Sequence, residues 1–268
     1  MTKHNIRGLN VVESGEANKQ AIIFVHAFPM CSRMWDKQVE ALQDKFRVVV
    51  YDLRGFGYSE YGDGHFTIES HVSDLISIVD SLKLDKPVVC GLSMGGYITL
   101  RALELYQSKF KGAIVADSKA EGDNNPTKHA RSEQMKMVKN GQREQFTENF
   151  IKAALSEANF TENAELVEFL KKMISWQKNE AITGALLTLA ARTDTTEGLD
   201  KFDIKMLIVA GKEDKLTPPE FSKIIYGKTR NSDLKLISNA GHLPNMENPE
   251  EFNAAILDFM KSYEKKQG

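Results

Sequence analysis

Gly91-Leu92-Ser93-Met94-Gly95 reads G-x-S-x-G and lies between an apolar run, Pro87-Val88-Val89-Cys90, and a helix-like stretch, Gly96-Tyr97-Ile98-Thr99-Leu100. The spacing has a mechanical meaning. A serine on a sharp strand-to-helix turn sits in a strained backbone conformation, and its neighbours two before and two after must be small to clear the adjacent strand and helix. The helix that opens after it turns its backbone N–H groups, and the positive end of its dipole, toward any anion formed at the serine. Acyl transfer uses that arrangement. It also requires a base to take the serine proton and an acid to orient the base. Among six histidines, His242 stands out. It follows the alternating run Leu234-Lys235-Leu236-Ile237, in the loop Asn239-Ala240-Gly241-His242-Leu243-Pro244. Asp214 leaves another apolar run, Met206-Leu207-Ile208-Val209, and is the expected acid. Asp117, at the end of Phe110-Lys111-Gly112-Ala113-Ile114-Val115-Ala116, is a rival. The backbone N–H of Met94, directly after the serine, is one expected donor to the oxyanion of a tetrahedral intermediate.

These residues appear in the order Ser93, Asp214, His242. Two further stretches join them, His26-Ala27-Phe28-Pro29 after the run Ala21 to Val25 and Asp52-Leu53-Arg54-Gly55-Phe56-Gly57-Tyr58-Ser59 after Phe46 to Val50, and His242 itself follows a glycine as Gly241-His242. On these motifs, over nearly its whole length, the chain resembles the α/β-hydrolase-fold serine hydrolases, and within them the carboxylesterases and enol-lactonases. The resemblance implies a mostly parallel central sheet flanked by helices, with a helical cap inserted after the sixth strand. It places the core at residues 1–117 and 201–268 and the cap at 118–200. It also implies a second oxyanion donor at the N–H of Phe28. The family's glycine is replaced there by Ala27, and alanine at positive φ costs on the order of 1 kcal/mol, so the loop must avoid that conformation or shift. His26 is read as tying this loop to neighbouring backbone. The implied activity is hydrolysis of small carboxylic esters or lactones through an acyl-enzyme. A C–C bond hydrolase or a cofactor-free perhydrolase on the same scaffold is the alternative, and a non-catalytic binding protein is a remoter one.

The elements that must hold these groups are legible as alternating strand and helix, the pattern of a parallel sheet covered on both faces. Residues 4–13 suggest a short hairpin or two small strands. Ser32 to Leu42 and Thr67 to Leu82 suggest helices, the second with Ile68, Val72, Leu75, Val79 and Leu82 on one face. Thr217-Pro218-Pro219-Glu220 has the form of a capping box with proline at the first helical position, and Asn248-Pro249-Glu250-Glu251 repeats it. From Asp117 to Lys205 the alternation stops and the pattern is helical, with Leu166, Phe169, Leu170, Met173 and Ile174 as one face. Asp123-Asn124-Asn125-Pro126 and Glu197-Gly198-Leu199-Asp200 are expected hinges. Met135, Met137, Met173 and Trp176 are candidate pocket residues.

Composition narrows the class. The chain has 268 residues, 41% hydrophobic and 27% charged, with a formal net charge of −2 and an isoelectric point near 6.3. That is ordinary globular usage, without the basic excess of a nucleic-acid or anionic-membrane binder. Met1 to Arg7 carries no apolar signal core, and no run approaches the ~18 apolar residues of a spanning helix. Two cysteines, Cys31 and Cys90, do not make a disulfide framework. The expectation is a cytoplasmic monomer or homodimer acting on a small molecule, without nucleic-acid or membrane partners. The Gly-x-Gly of the Asp52 loop lacks the Lys-Ser/Thr of a phosphate cradle and the third glycine of a dinucleotide fingerprint. Asp52 and Arg54 are expected to fix that turn by charge-assisted hydrogen bonds. No His/Cys cluster has ligand spacing, and the chemistry needs neither a metal nor an organic cofactor.

Overall fold

The computed structural model describes residues 1–62, 64 and 66–264. Eight strands form one sheet in the order β1-β2-β4-β3-β5-β6-β7-β8. β1 (Thr2–Ile6) and β2 (Leu9–Ser14) make the hairpin expected at residues 4–13, and β2 runs antiparallel to β4 (Arg47–Tyr51). From β4 onward, through β3 (Ala21–Val25), β5 (Val88–Leu92), β6 (Gly112–Ala116), β7 (Lys205–Gly211) and β8 (Ser232–Ile237), every pairing is parallel. β3, β5 and β6 are buried at every residue. Such strands read as continuous Val/Ile runs because helices cover both faces of the sheet.

The first expected helix is split. Ser32–Trp35 is a 3-10 turn, and α1 runs only over Asp36–Leu42. The helix α2 (Ile68–Ser81) matches its pattern closely. The Thr67 side chain accepts from the Ser70 N–H, and the Ser70 side chain answers the Thr67 N–H. It buries Ile68, Val72, Leu75 and Val79 against the sheet, while Leu82 is the capping residue. The α3 helix (Met94–Tyr106) starts directly at the residue after Ser93.

Between β6 and β7 the chain is helical: α4 (Asn125–Lys139), α5 (Arg143–Ala154), α6 (Glu157–Glu162), α7 (Ala164–Ser175) and α8 (Asn179–Ala191), then a 3-10 turn over Thr196–Lys201. The expected α7 face is buried at Leu166, Leu170, Met173 and Ile174. Its remaining member, Phe169, stays partly covered, with the Arg33 guanidinium 5.2 Å above its ring. Of the two stretches expected as hinges, the first caps α4 through Asn124, and the second lies inside the 3-10 turn. The last elements are α9 (Pro219–Lys228), α10 (Pro244–Glu247) and α11 (Pro249–Glu264). Among the described residues no helix is long and apolar enough to cross a membrane.

Candidate active site

Parallel register brings the carboxyl ends of β5, β6 and β7 side by side: Leu92 pairs with Ala116, and Ala116 with Val209. Whatever leaves these strands next is therefore adjacent in space. Ser93 follows β5 with φ +55° and ψ −113°, a conformation outside the relaxed regions that costs on the order of 1–3 kcal/mol. The glycines around it answer to close packing. A Cβ on Gly91 would stand 2.1 Å from the Gly95 carbonyl oxygen, and one on Gly95 would stand 2.1 Å from that of Val25. The turn is thus pressed against β3 and its own helix.

The three expected residues meet. His242 Nε2 lies 2.8 Å from Ser93 Oγ, and His242 Nδ1 lies 2.8 Å from Asp214 Oδ2. Ser93 is partly accessible, whereas His242 and Asp214 are buried. An ionised carboxylate only accepts, so Nδ1 carries the proton and Nε2 presents its lone pair to the serine hydroxyl. Asp214 is held for this task by backbone and side-chain donors. Leu216 N–H (2.8 Å) and Thr217 N–H (3.0 Å) donate to Oδ1, and the Thr217 hydroxyl donates to Oδ2 at 2.7 Å. Burial pushes the Asp214 carboxyl up, but the electrostatic pull of His242 and the hydrogen bonds from His242 and Thr217 reverse that and hold it down at about 2.

Thr217 was expected to cap a helix. Instead, α9 begins without a side-chain cap, and the Thr217 hydroxyl serves the carboxylate, 3.2 Å from His242 Nδ1 as well. Asp-x-Leu-Thr is an Asx-type turn in which the carboxylate accepts from the N–H groups two and three residues on. The pattern is legible in Asp214-Lys215-Leu216-Thr217, where it competes with the capping-box pattern of Thr217-Pro218-Pro219-Glu220. At the second expected box the cap does form, the Glu251 N–H donating to Asn248 Oδ1 at 3.3 Å, while Glu251 Oε2 accepts from Asn248 Nδ2 at 3.3 Å and from the Ser238 N–H at 2.9 Å.

Glu247 is another residue the motifs did not reveal. Its Oε1 accepts the N–H groups of Gly241 (2.8 Å) and Leu243 (3.1 Å), on either side of His242, and its Oε2 accepts the Ser156 N–H at 2.8 Å. The His242 N–H itself donates to the Ala154 carbonyl at 2.6 Å. The segment at 154–156, between α5 and α6, is therefore bonded directly to the histidine loop. Gly241 is required there because a Cβ would meet the Ala154 oxygen at 2.6 Å and the Ser156 nitrogen at 2.7 Å.

The remaining expected residues fall as follows. Among the described residues, the backbone N–H groups of Phe28 and Met94 donate to no protein acceptor. Ala27 does not adopt positive φ, so alanine is accommodated without strain, and its N–H points to Met34 Sδ at 3.2 Å. The Phe28-Pro29 peptide is cis. His26 bridges backbone: Nδ1 to the Ala27 carbonyl (2.9 Å) and Nε2 from the Leu53 N–H (2.9 Å). Asp52 does fix its turn, accepting from Ser32 N–H, Asn10 Nδ2 and Tyr58 N–H. Arg54 does not join it there; its guanidinium grips Asp74 of α2 through two 2.7 Å contacts. Both cysteines are buried and free, and burial with the nearby Asp52 charge pushes the Cys31 thiol up to about 12.

Asp117 touches neither His242 nor solvent. Its Oδ1 accepts the Gly211 N–H at 2.8 Å, and its Oδ2 is buried without a hydrogen-bond partner among the protein donors. Asp117, Asp214 and His242 bring one polar atom each within 4.8 Å of one another. His242 Nδ1 is spent on Asp214, so this is a hydrogen-bonded group and not a ligand set.

Above Phe28 the helical segment forms an apolar hollow of about 100 Å³, lined by Met137, Phe146, Phe150, Ala153 and Leu216 among others. The Phe28 ring packs edge-on against Phe146 and Phe150. Of the candidate pocket residues only Met137 lines it. Met173 and Trp176 border a separate surface hollow with Cys31 and Tyr58. Met135 is packed against the core. A cation cluster unmarked by any motif ties the two ends of the helical segment together: Asp123 faces Lys119, Arg131 and a fully buried Arg192, whose guanidinium stacks 4.2 Å over Tyr97.

A sequence profile for the α/β-hydrolase fold matches residues 20–249. Two curated relatives from Acinetobacter baylyi align along almost the whole chain. One is 3-oxoadipate enol-lactonase 2, 27% identical, covering 95% of this chain and 94% of its own. The other is 3-oxoadipate enol-lactonase 1, 29% identical, covering 98% and 96%. Among solved structures, a thermophilic esterase from Thermogutta terrifontis superposes with a TM-score of 0.92 at 31% identity, covering 98% of this chain and 99% of that one.

Proposed function

The chain belongs to the α/β-hydrolase family, and we propose that it cleaves small carboxylic esters or lactones with Ser93 as nucleophile, His242 as base and Asp214 as orienting acid. The reading rests on one observation: the unbroken path from Ser93 Oγ to His242 to Asp214, with both links at 2.8 Å. The esterase and enol-lactonase relatives agree with it.

In this reaction Ser93 Oγ attacks the carbonyl carbon as His242 Nε2 takes its proton. The Met94 and Phe28 N–H groups receive the oxyanion. Such donors are worth most when fixed beforehand in a water-poor site, and one of them sits at the positive end of α3. His242 returns the proton to the leaving alkoxide. It then activates a water that attacks the acyl-enzyme, and Ser93 leaves with the proton. Asp214 keeps the imidazole in one tautomer and stabilises it when charged. The strain at Ser93 keeps Oγ presented without reorganisation.

Residues 118–200 act as a cap in this account, and the hollow above Phe28 receives the acyl chain. A hollow of this size and lining suits a short apolar chain. Each methylene that enters gains about 0.8 kcal/mol; one that does not fit is refused. Turnover of p-nitrophenyl esters from acetate to palmitate tests this. The expected kcat/KM rises over the first few carbons and then falls. A maximum at the long-chain end would mean an open groove instead.

A further inference from the structure

The carboxyl group of Asp117 is buried beside the acid of the site and is not used by the mechanism above. Continuation of the β6–β7 register places it there: the Asp117 N–H bonds to the Val209 carbonyl at 2.9 Å, and its Oδ1 takes the Gly211 N–H at 2.8 Å. Asp117 has no solvent exposure and a φ of +43°, a conformation non-glycine residues rarely hold without reason. Oδ2 has no protein donor within reach, and one carboxyl oxygen of Asp117 lies within 4.8 Å of a carboxyl oxygen of Asp214 and a ring nitrogen of His242. A buried ionised oxygen without a donor is expensive, whereas a protonated one becomes a donor itself. Two carboxyls this close in a dry site share a proton.

Building on the triad assignment, we propose that Asp117 is a positioning residue for Asp214: its carboxyl donates a hydrogen bond to the Asp214 carboxylate, and the pair carries one negative charge. Asp214 is thereby held by one more donor. His242 faces one carboxylate and not two, so its imidazole stays free to accept the serine proton. Burial, and after it the charge of Asp214, push the Asp117 carboxyl well above the usual carboxylate range, and Glu247 adds in the same direction. The charged and titratable groups facing it are Asp214, His242 and Glu247. A consequence is that Asp117 is a reserve acid. With Asp214 replaced by asparagine the neighbouring charge is gone and the new amide N–H₂ can donate to the Asp117 carboxylate, which offsets its burial and lets it ionise next to His242.

The test uses three variants of the full chain. Asp214→Asn is expected to lose about 10³-fold in kcat, and the double variant Asp117→Asn/Asp214→Asn about 10⁴-fold, the full loss for a misoriented imidazole. Asp117→Asn, which keeps a neutral donor and the Gly211 contact, is expected to lose less than about threefold. Its Tm relative to wild type should climb as pH is raised from 4 to 8. Wild-type Asp117 ionises on unfolding above its ordinary value near 3.9 but stays protonated when folded, so rising pH removes stability that the amide does not lose. Equal losses in the single and double Asp214 variants would overturn the proposal, as would a flat Tm difference. A larger loss from Asp117→Asn than from Asp214→Asn would make Asp117 the acid itself. Near-wild-type rates in the double variant would overturn the triad assignment instead.

Discussion

The strand ends that carry the site and the helical segment between β6 and β7 are built by different means. At the strand ends, buried parallel register and short backbone bonds fix each group: Ser93 on a turn pressed against β3, Asp214 in an Asx turn, His242 pinned through its own N–H. The helical segment is held by amphipathic packing and by a charge cluster around Asp123. Backbone geometry positions atoms to a few tenths of an ångström. Side-chain packing positions whole helices and tolerates substitution more readily. Chemistry should therefore fail abruptly when the first region is altered, while the second should change stability and selectivity.

The sharpest separation is expected from Ser93→Ala. It removes one hydroxyl from a turn whose shape is set by backbone, so the fold and Tm should persist. The rate should fall on the order of 10⁶-fold in kcat. Loss of folding along with activity would show that the hydroxyl is structural and would erase the contrast.

On the other side, Asp123→Ala leaves Arg192, Arg131 and Lys119 facing one another without their shared carboxylate. Asp123 and Arg192 are both inaccessible at their charged ends, and breaking such a pair costs about 3–5 kcal/mol. Chemical denaturation should show that loss, while kcat for an acetate ester stays within a few-fold. A collapse of kcat with little change in stability would move this cluster into the active site.

The two regions also differed in legibility. G-x-S-x-G, the Asp214 loop and Gly241-His242 were readable because local rules demand them: small residues at a turn, a polar residue just past a strand. The substitution of Ala27 was visible, but whether it strained the loop depended on a φ angle that spacing does not give. Thr217 looked like a cap because its local pattern fits one; its partner lies three residues back, and the competition was decided by the buried charge of Asp214. Glu247 lies only four and six residues from the N–H groups it accepts in the histidine loop, but no motif marks it; the 154–156 segment was invisible because its bond to Glu247 spans 91 residues. Arg192 was unremarkable in sequence for the same reason: its partner is 69 residues away. Helix periodicity announced the α7 face but not which cavity Met173 and Trp176 would border.

A smaller effect sharpens the line between the regions. Thr217→Val keeps the shape of the side chain and removes the hydroxyl donated to Asp214. A hydrogen bond to a charged group is worth about 1.5–3 kcal/mol, so kcat should drop by about 10- to 100-fold with KM little changed. If Thr217→Val lowers only Tm, the hydroxyl supports the α9 junction and not the acid.

The central claim is that Ser93 is activated by His242. A serine-reactive fluorophosphonate with intact-mass and peptide analysis tests it most directly. The account predicts one adduct per wild-type chain, on the peptide carrying Ser93, and none on Ser93→Ala. Adduct formation in Ser93→Ala at the wild-type rate, or labelling of wild type at another serine, would contradict it.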